Sequence, residues 1–250
     1  MIASRPPPMS REYHVWRSPN LDREMELLVF GHAGAKVLVF PTRSGRFHEY
    51  EDLGIVEALQ AKLDGGHLQL FCIDGLDRET FYARRRPPPE RIARHLAYER
   101  YVLDEVLPFM GMLNPHPCTI SHGCSLGAFF AASIAFRHPR FFQKLAAFSG
   151  RYDLTHRVEN FRDLLDGHRD PDVYYLMPSQ FLPRLSRPDL LAAIRALDLV
   201  FVIGDADPFL ANNHEFAAVL HAKHIPHQLH VWSGRAHDAR HWRDMAAHYL

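Results

Sequence analysis

Between Tyr13 and Phe30 apolar and polar residues alternate, most clearly in Glu24-Met25-Glu26-Leu27-Leu28-Val29, and Ser18-Pro19-Asn20-Leu21-Asp22 interrupts the run. That period of two predicts an antiparallel pair of strands joined by the turn. After Gly31-His32-Ala33-Gly34 the alternation stops. Val37-Leu38-Val39-Phe40 is apolar at every position, as a parallel strand buried on both faces requires, and it ends at Pro41. From Glu51 the period lengthens: Leu53, Val56, Leu59 and Leu63 predict a helix that Gly65-Gly66 stops. Leu68 to Ile73 is the next strand. Arg84-Arg85-Arg86-Pro87-Pro88-Pro89 then reads as a solvated loop before a long helix from about Glu90 to Phe109.

Asn114-Pro115-His116-Pro117 breaks the chain, Cys118 to His122 reads as a strand, and Ala128 to Phe136 as a small-residue helix. Leu145 to Phe148 is a further strand. From Arg151 to about Pro188 no period survives, and this polar, aromatic and proline-rich stretch is expected to be a small lid-like insertion over the sheet. Order resumes with a strand over Leu197–Ile203, a helix over Asn212–Lys223, a strand over Gln228–Trp232 and a closing helix. Strands alternating with helices predict an α/β fold, a mostly parallel central sheet with helices on both faces. Residues 1–250 are expected to form a single domain, without internal repeats or a second core.

Composition narrows the function. Basic and acidic side chains balance at 29 each, so charge gives no case for nucleic acid or an anionic membrane as partner. Met1 to Pro8 lacks the apolar core of a secretory signal, and no apolar run approaches the roughly 20 residues that span a bilayer. Cys72, Cys118 and Cys124 are odd in number and lack metal spacing, which suits reduced, buried thiols. A cytoplasmic protein is the expectation.

The chemistry concentrates at Gly123-Cys124-Ser125-Leu126-Gly127, a G-x-S-x-G pattern that sits between a predicted strand and a predicted helix. Average glycine and serine usage gives about 0.1 chance matches in a chain this long, so the setting makes the pattern specific. A serine hydroxyl needs a base to take its proton, and the base needs an acid to fix its tautomer. In this kind of sheet those partners follow in the order Ser, Asp or Glu, His, on loops leaving later strands. Gly204-Asp205-Ala206-Asp207-Pro208-Phe209 supplies two acids after one strand, and Ser233-Gly234-Arg235-Ala236 leads to His237 after the next. Asp207 lies deeper in its loop and is preferred. Asp205, directly after the glycine, suits a turn residue.

Other sites are less marked. Eighteen histidines include His221 with His224 and His237 with His241 at helical spacing, but no third ligand accompanies either pair, so no metal and no cofactor is expected. His122, inside its strand, reads as a packed, hydrogen-bonded residue. The oxyanion calls for the N–H of Leu126 and for a second donor after the Val37–Phe40 strand, where Thr42 or Arg43 qualifies because Pro41 has no N–H. Asp74 and Asp77 sit at a strand's carboxyl end, the edge where α/β sheets bind ligands, although solvated loop acids fit them as well. Phe81 and Tyr82, with Tyr174, Tyr175 and Phe181, are candidates for the wall of an apolar cleft or for packing under the lid.

With these residues in place the chain resembles the esterase family of α/β-hydrolases that includes esterase D-type S-formylglutathione hydrolases, feruloyl esterases and mycolyltransferases. It is most similar to a compact bacterial subgroup, through Ser18-Pro19-Asn20-Leu21, Val39-Phe40-Pro41-Thr42, Gly123 to Ala128 and His237-Asp238. The resemblance implies the α/β-hydrolase fold, with nucleophile Ser125, acid Asp207 and base His237. Where relatives continue the His-Asp pair with tryptophans, this chain has Ala239-Arg240-His241-Trp242, so Trp242 keeps part of an aromatic wall. The expected activity is hydrolysis of a small or medium carboxylic ester through an acyl-enzyme. Thioester hydrolysis or acyl transfer with the same residues is an alternative, and a non-catalytic binding protein is another. A small-molecule ester is the expected partner, and a homo-oligomer is left open.

Overall fold

The computed structural model describes residues 10–250, so Met1–Pro8, read above for a missing signal, lies outside the described residues. Its strands are β1 (Arg11–Ser18), β2 (Arg23–Phe30), β3 (Ala35–Phe40), β4 (Leu68–Ile73), β5 (Thr119–Cys124), β6 (Lys144–Phe148), β7 (Asp198–Gly204) and β8 (Gln228–Trp232). They form one eight-stranded sheet in the order β1-β2-β4-β3-β5-β6-β7-β8. The first two strands join it antiparallel, and every pair from β4 to β8 is parallel. All six residues of β4 and of β5 are buried, so neither strand alternates between inward and outward positions.

The helices are α1 (Glu49–Asp52), α2 (Ile55–Ala58), α3 (Gln60–Asp64), α4 (Pro88–Tyr101), α5 (Leu107–Leu113), α6 (Leu126–Arg137), α7 (Pro171–Leu176), α8 (Pro178–Phe181), α9 (Pro188–Arg195), α10 (Leu210–Ala222) and α11 (Ala239–Tyr249). Apolar residues of α1 to α3 and α11, such as Tyr50, Ile55, Leu63 and Met245, cover one face of the sheet. Those of α4 to α10 cover the other, with Tyr101, Phe129, Phe136 and Phe216 fully buried there. This is the α/β-hydrolase arrangement.

Three details differ from the sequence expectation. The helix expected over Glu51–Leu63 is broken into α1, α2 and α3: Gly54, between the first two, adopts φ +71°, a left-handed conformation that an α-helix cannot continue through, and Leu59 separates α2 from α3. The helix expected from Glu90 to Phe109 runs on to Leu113 as α4 and α5, with one wide turn at Val102–Val106. Pro108 has no N–H for the carbonyl four residues back, and the wide turn, closed by the Leu107 N–H on the Val102 carbonyl, directly precedes it. The stretch from Arg151 to Pro188 contains α7 and α8 and is built into the core. Leu165, Val173, Leu176 and Met177 are buried with α6, and Ser133 Oγ donates to the Leu176 carbonyl at 2.7 Å. Helices this short show no sequence period, which is why the segment reads as irregular. Among the described residues no helix is long and apolar enough to cross a membrane.

Candidate active site

β5 delivers Ser125 to the carboxyl edge of the sheet and α6 begins directly after it. Ser125 holds φ +54° and ψ −117°, a strained conformation fixed by its N–H, which donates to the Phe148 carbonyl at 2.8 Å. The two glycines make the turn possible by close approach. A Cβ on Gly123 would stand 2.4 Å from the Gly127 carbonyl carbon, and one on Gly127 would stand 2.3 Å from the Phe40 oxygen. Both obstacles are backbone, so no rotamer change relieves them. Gly127→Ala is therefore expected to cost more than about 3 kcal/mol, read as a lowered urea midpoint, unless the strand and helix separate at no cost.

Asp207 and His237 reach the serine from loops after β7 and β8. His237 Nε2 lies 2.9 Å from Ser125 Oγ, and His237 Nδ1 lies 2.7 Å from Asp207 Oδ2. An ionised carboxylate can only accept, so Nδ1 carries the proton and the Nε2 lone pair faces the serine hydroxyl. Asp207 is 4% exposed and its other oxygen accepts the Phe209 N–H at 2.9 Å. Asp205 is exposed and accepts the Gly234 N–H at 2.7 Å, pinning the two loops together without reaching the histidine. The histidine loop has a second anchor, which the sequence did not reveal. Ser149 Oγ donates to the Ala236 carbonyl at 2.8 Å and accepts the Trp242 Nε1–H at 3.1 Å, beneath the imidazole.

The loop after β3 is tied down by carboxylates. Glu49 accepts both the Thr42 N–H at 2.7 Å and the Thr42 hydroxyl at 2.6 Å. Burial pushes the Glu49 carboxyl above its usual pKa, and the two Thr42 bonds oppose that shift. Thr42 is thus corrected as a candidate oxyanion donor: its N–H is already spent on Glu49. Neither the Arg43 nor the Leu126 N–H has a protein acceptor among the described residues, and both residues line the cavity at Ser125. Asp74 and Asp77 are corrected too. They are neither solvated nor on the cavity; they are 1% and 2% exposed and hold this loop from beneath. Asp77 accepts the Ser44 N–H at 3.0 Å, and Asp74 pairs with the Arg46 guanidinium at 2.5 Å. Burial, the largest influence on each, raises both carboxyl pKa values.

The cavity over Ser125 measures about 280 Å³. Tyr82, Trp242 and Phe209 line it, with Arg43 set over the Tyr82 ring at 5.7 Å and Trp242 5.6 Å from the imidazole ring. Phe81 is not in the wall. It is fully buried and stacks on Phe130 at 6.0 Å, a core residue pointing away from its neighbour Tyr82. Tyr174, Tyr175 and Phe181 border a different hollow, beside Arg184 and Leu190. Their place is taken by Arg151, Leu154, Phe161 and Leu164, all from the segment without period and none marked by a sequence signal. His122 is fully buried as expected, with Nδ1 donating to the Ala146 carbonyl at 2.6 Å and the Tyr50 hydroxyl 2.9 Å from Nε2.

The fold has counterparts among solved structures. A ferulic acid esterase superposes with a TM-score of 0.75 at 16% identity, covering 97% of each chain. The fluorophosphonate-binding serine hydrolase FphF of Staphylococcus aureus gives 0.72 at 14% identity, again covering 97% of both chains. An S-formylglutathione hydrolase from Agrobacterium tumefaciens gives 0.74 at 15% identity over 97% of this chain and 93% of its own. No curated protein sequence matches the chain. These likenesses show the α/β-hydrolase fold. Residues 18–247 match the family model described as "Putative esterase", and the chain belongs to that family of carboxylic ester hydrolases.

Proposed function

We propose that the protein is a serine esterase in which Ser125 is the nucleophile, His237 the general base and Asp207 its orienting acid. The observation that carries this reading is the unbroken hydrogen-bonded chain from Ser125 Oγ through His237 to Asp207, at 2.9 and 2.7 Å. Ser125 Oγ attacks the ester carbonyl while Nε2 takes its proton, and the imidazolium that forms is stabilised by the buried Asp207 carboxylate. The oxyanion receives the N–H groups of Leu126 and Arg43, each worth about 3–4 kcal/mol in the transition state. His237 then returns the proton to the leaving alkoxide. Water, deprotonated by the same nitrogen, releases the acid from Ser125.

A fluorophosphonate probe tests the reading. Labelling is expected on the peptide that carries Ser125, and labelling is expected to abolish hydrolysis of p-nitrophenyl acetate. Folded protein that takes no label would favour the binding-protein alternative.

A further inference from the structure

Arg151 lines the cavity, and the ester-cleaving machinery leaves its charge unused. Its side chain is 6% exposed, and no carboxylate lies within ion-pair distance of it among the described residues. Its contacts are backbone carbonyls: Nε donates to Asp153 at 3.0 Å, and Nη2 serves Leu154 at 3.0 Å, Arg162 at 2.9 Å and His156. The guanidinium also stands over the Phe209 ring at 5.5 Å. Nη1 has no protein acceptor among the described residues and is not sealed in the interior, while Arg151 lines the cavity over Ser125. Desolvation pulls its pKa below that of a free arginine. A clamp for the segment from Arg151 to Arg162 would need Nε and Nη2 alone.

A second guanidinium shares the cavity. Arg43 makes no ion pair among the described residues and rests over Tyr82. No aspartate or glutamate lines this space; Asp153 and Asp163 stand outside the lining but near enough to favour the charge of Arg151, and Asp207 is engaged by His237. The buried Arg151 with its free Nη1, the exposed Arg43 and a phenol, with no acid in the lining, make a positive site at the cavity. The planar fork matches a carboxylate through paired N–H donors.

We propose that the ester substrate carries a carboxylate, bound by Arg151 and Arg43 while its ester carbonyl sits at Ser125. The proposal rests on the reading of Ser125 as nucleophile and names the substrate class of that site. The cavity of about 280 Å³, half open to solvent, accommodates a group of the size of a short dicarboxylic acid monoester or the ester of a small hydroxy acid.

Two pairs of esters test it, matched in size and differing in charge. Mono-p-nitrophenyl glutarate against p-nitrophenyl pentanoate places the charge on the acyl side, with the enzyme-free rate subtracted. Para-acetoxybenzoate against its methyl ester places it on the leaving group. In one pair kcat/KM is expected to favour the anionic member on the order of 10- to 100-fold, the worth of a hydrogen bond to a charged group. That ratio is expected to fall towards one in Arg151→Gln and Arg43→Gln, and to shrink with added salt. Damage to the Arg151 clamp alone would lower both members equally and leave the ratio intact. A wild-type ratio of one or less in both pairs overturns the proposal. Calorimetric titration with glutarate separates it from the nucleophile reading. Binding that Arg151→Gln abolishes, in a protein that cleaves no ester, faults Ser125 and not the arginines.

Discussion

Alanine at Ser125 or at His237 is expected to lower p-nitrophenyl acetate turnover by about ten-thousand- to million-fold, and the double variant no further. The reason lies in the serial arrangement: Oγ is a nucleophile only while Nε2 accepts its proton at 2.9 Å, so losing either atom loses the same step. Asp207→Asn is the sharper test, expected to cost about ten-thousand-fold without altering shape. The amide oxygen can keep the Phe209 N–H bond at 2.9 Å, which turns the NH2 group to Nδ1. His237 must then accept at Nδ1 and carry its proton on Nε2, where it faces Ser125 and cannot act as base. Steady-state rates and melting curves on the same samples decide the matter. Additive losses in the Ser125–His237 double variant, or an Asp207→Asn variant of near wild-type rate, would separate these residues from the chemistry.

The strands were legible because they lie in the middle of the sheet. Burial on both faces leaves β4 and β5 no outward position, and so no alternation to misread. Ser125, Asp207 and His237 were legible as loop residues in a fixed order, each displayed by a strand end. What the sequence hid depends on contacts between distant segments. Glu49 looks like any acid at a helix start until the fold brings Thr42 to it. Asp74 and Asp77 look solvated until Arg46 and the Ser44 N–H cover them. Phe81 and Tyr82 are adjacent and chemically alike, yet one faces the core and the other the cavity, a choice set by the turn they sit on. Arg151 belongs to a stretch without period, and only the fold shows which of its many arginines is enclosed.

Acid is expected to destabilise the protein steeply between pH 6.5 and 4 through two histidines that take no part in the proposed reaction. His95 is fully enclosed between Phe81 at 4.8 Å and Phe130 at 5.4 Å, and its Nδ1 has no partner. Desolvation, only partly offset by Glu99, lowers its pKa from 6.5 to about 4. His122 is likewise lowered to about 4, chiefly by desolvation. It is satisfied only when neutral, since its Nε2 accepts from the Tyr50 hydroxyl. In both cases the folded pKa lies below the unfolded one. Between pH 6.5 and 4 the unfolded chain therefore binds protons that the native protein refuses. The stability is present above pH 6.5, falls with pH, and is gone below 4. Each group contributes about 3 kcal/mol across that window, a large share of the 5–15 kcal/mol typical of a folded domain. Urea midpoints at pH 7 and pH 4.5 read the loss. His95→Leu, of similar volume and without charge, is expected to remove roughly half of it. Equal pH slopes for wild type and His95→Leu would mean that His95 charges within the native fold, and that its aromatic enclosure opens before the protein unfolds.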